Sequence, residues 1–201
     1  MKPEILEHFQ KHDPKIYEFM SQYKDDLNLT AAKPSTYFFR LSREIASQQL
    51  HSNAAQAIWG RFEGIMPSGK VTPTNVLKAT VEEMRACGFS YAKANYIHNV
   101  AEAFKADANY LLLDQLDDEE VIELLTKIKG IGRWTAEMFL MFTLGRENVF
   151  SYGDLGLKKG LIKVYKLKKE PDKAKIDKLI KNWAPYKTYG ALTLWRALDN
   201  E

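Results

Sequence analysis

Along the whole chain, residues with a side-chain oxygen recur just ahead of apolar residues at helical spacing, and stretches alternating every second residue are hard to find. A backbone patterned this way satisfies its hydrogen bonds as a series of helices. Asp13 with Pro14 precedes IYEFMSQY, Ser35 precedes TYFFRLSREIASQQ, and Ser52 precedes NAAQAIWGRF; each offers an oxygen to an orphan amide of the first turn. Thr72 with Pro73 opens a short helix. Thr80 with Glu83 makes a capping box whose helix stops at Gly88, and Ser90 opens a longer helix, YAKANYIHNVAEAF. Asp117 with Glu120 repeats the box ahead of VIELLTKIK. A hairpin, KGIG, follows, and RWTAEMFLMFTL then reads as a buried helix ending at Gly145. After a loop to Gly153 a helix runs from Asp154 to Tyr165, and two more follow Pro171 and Pro185. The expected fold is all-α, with the hairpin near residues 117–145.

Size and composition narrow the class further. A chain of 201 residues with 45% apolar and 12% aromatic residues can bury a core of its own, so residues 1–201 are expected to form one compact body or two closely packed lobes. Apolar runs such as Met138–Met141 fall far short of the roughly 20 residues a bilayer requires, and no membrane association is expected. The opening MKPEILEHFQKHD carries acids and no apolar h-region, so no signal or transit peptide is expected. The single Cys87 rules out disulfides, cysteine zinc sites and cysteine-bound iron-sulfur clusters within one chain. His8, His12, His51 and His98 are scattered, which argues against a catalytic metal, and no phosphate-cradling nucleotide motif occurs. The net charge of +3 is unevenly spread: residues 106–126 hold seven acids and no Lys or Arg, whereas residues 127–169 hold ten basic residues against three acids. The second segment could follow a polyanion, although a lysine run taken alone is more often a solvated face.

The stretch LLTKIKGIGRWTAEMFLMFTLGRENVFSYGDLGLKKGL, residues 124–161, carries the chemistry. Gly130 and Gly132 let the chain turn sharply and bring the amides around Ile131 close to a partner. At the positive end of the helix starting near Arg133, such amides suit one phosphate of a nucleic-acid backbone. By pattern alone a plain αα-hairpin, an N-cap aspartate at position 154, and core positions for Leu50, Trp134 and Trp195 account for the same residues.

The arrangement closely resembles the helix-hairpin-helix DNA glycosylases, in which the hairpin is followed about twenty residues later by a loop and an aspartate. Here Gly132 and Asp154 are 22 residues apart. Four features are similar to the alkylation-repair branch, 3-methyladenine DNA glycosylase II: GIGRWTA, DLGLKKG, the earlier IASQQLHSNAAQAI and the late YGALTLW, together covering residues 35–198. The resemblance implies a two-lobed helical bundle with a cleft between the lobes, in the compact form without an added β-rich domain. Its substrate would be double-stranded DNA containing alkylated bases and its product an abasic site.

Residue by residue, the resemblance implies Asp154 as the catalytic carboxylate, stabilising positive charge on the sugar. Members that also cut the strand carry a Lys two residues after the second hairpin glycine; this chain has Trp134, which implies no lyase activity. Leu50, flanked by Gln49 and His51, matches the side chain that wedges into the duplex when the damaged nucleotide leaves the stack. The polar residues on both sides of Leu50 suggest an interhelical turn. Trp134, Trp195 and Tyr152 match the base pocket, where indole faces attract a cationic methylpurine. Gly130, Ile131 and Gly132 would hold a phosphate, and the main-chain carbonyls of Thr126, Ile128 and Ile131 would hold a structural Na+ or K+. No cofactor is otherwise implied. The loop SYGD lacks the Pro of many members, and Met138 and Leu155 stand where some have aromatics. A monomer is expected, working in the cytoplasm or nucleoid of a bacterium or the nucleus of a eukaryote. The alternatives are a noncatalytic DNA-binding module and a glycosylase for oxidised or deaminated bases.

Overall fold

A computed structural model describes residues 1–22 and 27–198. Every regular element among them is helical. In chain order the α-helices are α1 (Pro3–His12), α2 (Pro14–Met20), α3 (Tyr37–Ser47), α4 (Ser52–Ile65), α5 (Pro73–Val76) and α6 (Val81–Ala86). They continue as α7 (Tyr91–Ala106), α8 (Asp118–Thr126), α9 (Arg133–Phe142), α10 (Leu155–Tyr165), α11 (Lys173–Ile180) and α12 (Lys187–Leu198). Among the described residues no helix is long and apolar enough to cross a membrane. The chain divides into a central unit, residues 32–144, and a terminal unit formed by residues 1–31 with 145–201.

The central unit holds α3 to α9. Helix α7 lies against α3, α5 and α6, and α8 against α9, so the hairpin helices share one core with the longest helix. That core is closed by Leu41, Ile45, Phe62, Ile97, Val100 and Leu125, all fully buried. Aromatic edges lock the elements together: Phe62 meets Phe89 at 5.2 Å and Tyr37 meets Phe139 at 5.5 Å, both edge to face. Both expected capping boxes form, with Thr80 and Glu83 exchanging hydrogen bonds at the start of α6 and Asp117 and Glu120 at the start of α8. Thr72 and Ser90 cap α5 and α7 as their types dictate.

In the terminal unit α10 packs along α12, closely enough that a Cβ on Gly160 would stand 2.7 Å from the Leu194 Cβ. Its centre is Trp183, fully buried and edge-on to Phe9 and Phe150. The half-buried to buried polar groups there converge on Asp13. Its Oδ1 accepts the Ile16 amide at 3.3 Å as the cap of α2, and its Oδ2 accepts the Trp183 indole N–H at 2.7 Å and the Tyr165 hydroxyl. Burial, with Asp13 beside it, pushes the Tyr165 phenol far above its usual range.

Several sequence expectations need correction. Ser35 does not cap a helix: Pro34–Thr36 form a 3-10 turn and α3 starts after Thr36, because Pro34 presets the turn one step earlier. Ser52 is the first residue of α4, whose N-cap His51 makes no side-chain capping bond. Gln48 and Gln49 lie beyond α3 rather than inside it. Helix α8 ends at Thr126, so Lys127–Lys129 belong to the turn. Helix α1 adds to the helices expected from the sequence, and Pro3 at its first turn with Glu4 beside it is a legible start signal. Tyr23, the end of the segment after Pro14, lies outside the described residues.

Candidate active site

The hairpin is shaped from within. Ile128 and Ile131 are buried, and the Ile131 amide donates to the Ile128 carbonyl at 3.0 Å, so two apolar side chains pin the turn. Gly130 sits at φ +107, and a Cβ there would fall 2.2 Å from the Tyr96 ring; no other residue fits that position. Gly132 is different. Its φ of −92 suits any residue and a Cβ would meet nothing within 4 Å, so folding does not demand a glycine there. As the N-cap of α9 it makes no side-chain capping bond, which leaves the first amides of that helix uncovered by the usual oxygen. Asn99 braces the turn by donating to the Lys129 carbonyl at 2.9 Å.

Arg133, despite its position beside the hairpin, is engaged by carboxylates. Its guanidinium donates two hydrogen bonds to Glu119, at 2.6 and 3.1 Å, and one to the buried Glu137 at 2.9 Å, tying α8 to α9. The Arg133 hydrogen bonds hold the Glu119 carboxyl below its usual range. The carbonyls of Thr126, Ile128 and Ile131 are neutral oxygens without a carboxylate among them, a set suited to a monovalent cation. Ile128 already accepts one hydrogen bond and retains a lone pair for an ion. Among the described residues no three His, Cys, Asp or Glu side chains gather where a metal would need them.

Gln49, Leu50 and His51 lie exposed in the turn between α3 and α4, with Leu50 39% exposed. Trp134, in the first turn of α9, is likewise 39% exposed. Met138, deeper in the same helix, is core, and Leu155 is exposed.

Asp154 lies in the terminal unit and is both cap and buried acid. Its Oδ1 accepts the Leu157 amide at 2.7 Å and the Trp195 indole N–H at 3.1 Å, and the residue is only 9% exposed. Hydrogen bonds of this kind hold the carboxylate in one orientation. Gly156 makes room for the arrangement, since a Cβ there would lie 2.9 Å from the Trp195 indole nitrogen. The preceding loop is anchored by Thr188, whose hydroxyl donates to the Arg146 carbonyl at 2.6 Å and accepts the Val149 amide at 2.9 Å. Tyr152 points to α11: its hydroxyl donates to Asp177 at 2.6 Å and Lys173 lies over its ring. Burial, then Asp177, push its phenol up to about 12. Sequence reading missed Thr188 and Asp177 entirely, and no local pattern marks either. It also missed the Trp195 hydrogen bond, which makes that indole a partner of the acid as well as a candidate pocket wall.

A buried, doubly hydrogen-bonded carboxylate at a helix start, and a glycine hairpin leading into another helix, can stabilise a developing cation and hold a phosphate, respectively. Residues 42–185 match the family model of the HhH-GPD superfamily base excision DNA repair proteins. The chain belongs to this superfamily. That span takes in the α3–α4 turn, the hairpin and Asp154, while Trp195 lies beyond it. Among HhH-GPD relatives, the chain is 37% identical to DNA-3-methyladenine glycosylase 1 of Schizosaccharomyces pombe over 190 residues, 90% of this chain and 80% of that protein. A solved S. pombe 3-methyladenine DNA glycosylase in complex with abasic DNA superposes with a TM-score of 0.80 at 35% identity, covering 98% of this chain and 97% of the other. A DNA-3-methyladenine glycosidase from Bacillus halodurans superposes with a TM-score of 0.81 at 34% identity, covering 99% and 90%.

Proposed function

We propose that this HhH-GPD protein is a monofunctional DNA glycosylase that releases cationic N3- or N7-methylated purines from duplex DNA and leaves an abasic site. The observation that carries the reading is the Asp154 carboxylate, buried and held by the Leu157 amide and the Trp195 indole. Its relatives' names as 3-methyladenine glycosylases favour the same substrate class.

In this scheme the N-glycosidic bond breaks with its electron pair passing to the base. A methylated purine carries a positive charge, leaves as a neutral molecule and needs no general acid. Positive charge then develops on the sugar, and an oriented carboxylate stabilises it without having to reorganise. A water oxygen forms the new bond to the anomeric carbon and gives up its proton to Asp154 or solvent. Trp134, standing where strand-cutting members carry a lysine, supplies no amine for a Schiff base. The indole faces of Trp134 and Trp195 each offer a cationic base an attraction of about 1–2 kcal/mol when desolvated. Leu50 fills the gap left in the stack, the hairpin amides hold one phosphate, and the Thr126, Ile128 and Ile131 carbonyls would hold a Na+ or K+ that would add positive charge at the hairpin without entering the reaction.

The test is base release from methylated duplex by wild type and Asp154→Asn. Release is expected to fall by at least about a hundredfold, the usual effect of removing one preorganised electrostatic group. DNA binding should be retained or improved, because a negative charge near phosphates is removed. Equal release by the two proteins would refute the role of Asp154. Binding without release in wild type would favour a noncatalytic DNA module. Release of oxidised or deaminated bases in preference to methylated ones would move the substrate class.

A further inference from the structure

The turn that presents Leu50 breaks a local rule. Gln49 sits in the left-handed region at φ +58, after Gln48 at φ −49 and ψ 131 and with the Leu50 amide donating to the Ser47 carbonyl, the third position of a type II turn, which ordinarily carries glycine. A non-glycine residue there costs about 1–2 kcal/mol and persists only where the surroundings over-determine it. Packing does not supply the determination, since Leu50 borders two hollows of about 290 and 250 Å³ rather than a filled core.

Lys93 does. Its ammonium donates to the Ala46 carbonyl at 2.8 Å and to the Gln48 carbonyl at 2.6 Å, the oxygens left over where α3 ends. The cation faces the negative end of α3, the arrangement that helix dipoles favour. Its own helix gains nothing from it. Lys93 stands in the first turn of α7, three residues after the cap Ser90, where a positive charge opposes the dipole. A lysine placed against local preference, half-buried, and with burial lowering its pKa is there for its tertiary partners. A second tie comes from Gln48, whose side-chain amide donates to the buried Thr135 hydroxyl at 3.1 Å, one residue after Trp134.

Resting on the reading of Leu50 as the duplex wedge, we propose that Lys93 is a positioning residue for it: the ammonium on the Ala46 and Gln48 carbonyls locks the α3–α4 turn in the conformation that projects Leu50. A turn ordered beforehand does not lose conformational freedom on insertion, so the opened duplex is captured more efficiently.

The experiment compares single-turnover excision of one methylated purine from a fully paired duplex and from a flexible bulge, using Lys93→Met, Lys93→Arg and Leu50→Ala, with hydrogen exchange of the amides of residues 48–51 read in parallel. Lys93→Met keeps the stem and removes the charge. It should slow the duplex reaction about tenfold, leave the bulge reaction unchanged and speed exchange at 48–51. Lys93→Arg should restore much of the duplex rate, and Lys93→Met combined with Leu50→Ala should be no slower than Leu50→Ala alone, as expected of residues acting through one element. Equal slowing on both substrates, or unchanged exchange at 48–51, would overturn the assignment of Lys93. An unchanged duplex-to-bulge ratio in Leu50→Ala, with faster exchange in Lys93→Met, would instead refute the wedge and leave the clamp standing.

Discussion

Two helices of this protein begin at loops that bear on the candidate chemistry, and they begin in opposite ways. Helix α9 starts from Gly132, which offers no side-chain oxygen to its first amides. Helix α10 starts from Asp154, whose carboxylate accepts the Leu157 amide. The same positive end of a helix thus lacks a side-chain cap in one case and is occupied by the protein's own anion in the other. The first arrangement suits holding a phosphate. In the second, the amide orients a carboxylate whose remaining charge can act on a sugar.

Separating the cap from the charge at Asp154 should have the largest effect. Serine caps helices about as well as aspartate but carries no charge, so Asp154→Ser is expected to keep the thermal midpoint near that of wild type while base release falls by about two to three orders of magnitude. A large loss of stability with release preserved would reverse the roles assigned to the two groups. Making the hairpin resemble the α10 start comes next. Gly132→Asp meets no steric obstacle and should stabilise α9 by a few tenths of a kcal/mol. By placing a carboxylate where a phosphate would sit it should weaken DNA binding about tenfold and flatten the log-log salt slope by about 0.9, the value of one lost phosphate contact. Stability and affinity moving in the same direction would contradict the contrast.

Smaller effects test the outer supports of the acid. Trp195→Phe preserves an aromatic face and removes the N–H donor to Asp154, so release should slow about three- to tenfold, in line with the net loss of about 1 kcal/mol for one hydrogen bond. An unchanged rate would leave Trp195 as a pocket wall only. Tyr152→Phe should leave release nearly unaltered and change only the alkaline limb of stability. Because the folded phenol is pushed up to about 12, its contribution is complete below the ordinary tyrosine value of about 10. It disappears as pH rises toward about 12. Denaturant midpoints across that window should slope less in Tyr152→Phe than in wild type.

Which of these features can be read along the chain follows from their range. Capping boxes at Thr80–Glu83 and Asp117–Glu120 close within one helical turn, so their residue types suffice to locate them. Gly130 is legible as a turn glycine, but the Tyr96 ring that forbids any side chain there is not, since it arrives from α7. Ser35 and Ser52 show the limit of the same logic: a cap-forming residue type beside a helix is not always the cap, because Pro34 and His51 shift the boundary by one or two positions.

The helical class, the hairpin, the position of Asp154 at a helix start and the absence of a lysine at position 134 were all written in neighbouring residues, where i to i+4 hydrogen bonding and backbone sterics act. The tertiary structure alone decided that Asp154 is buried, that an indole 41 residues away donates to it, that Tyr152 turns to Asp177 and that a lysine from α7 secures the end of α3. Those outcomes depend on which helices share a core, and burial and dipole complementarity between distant segments have no signature in the local order of residues.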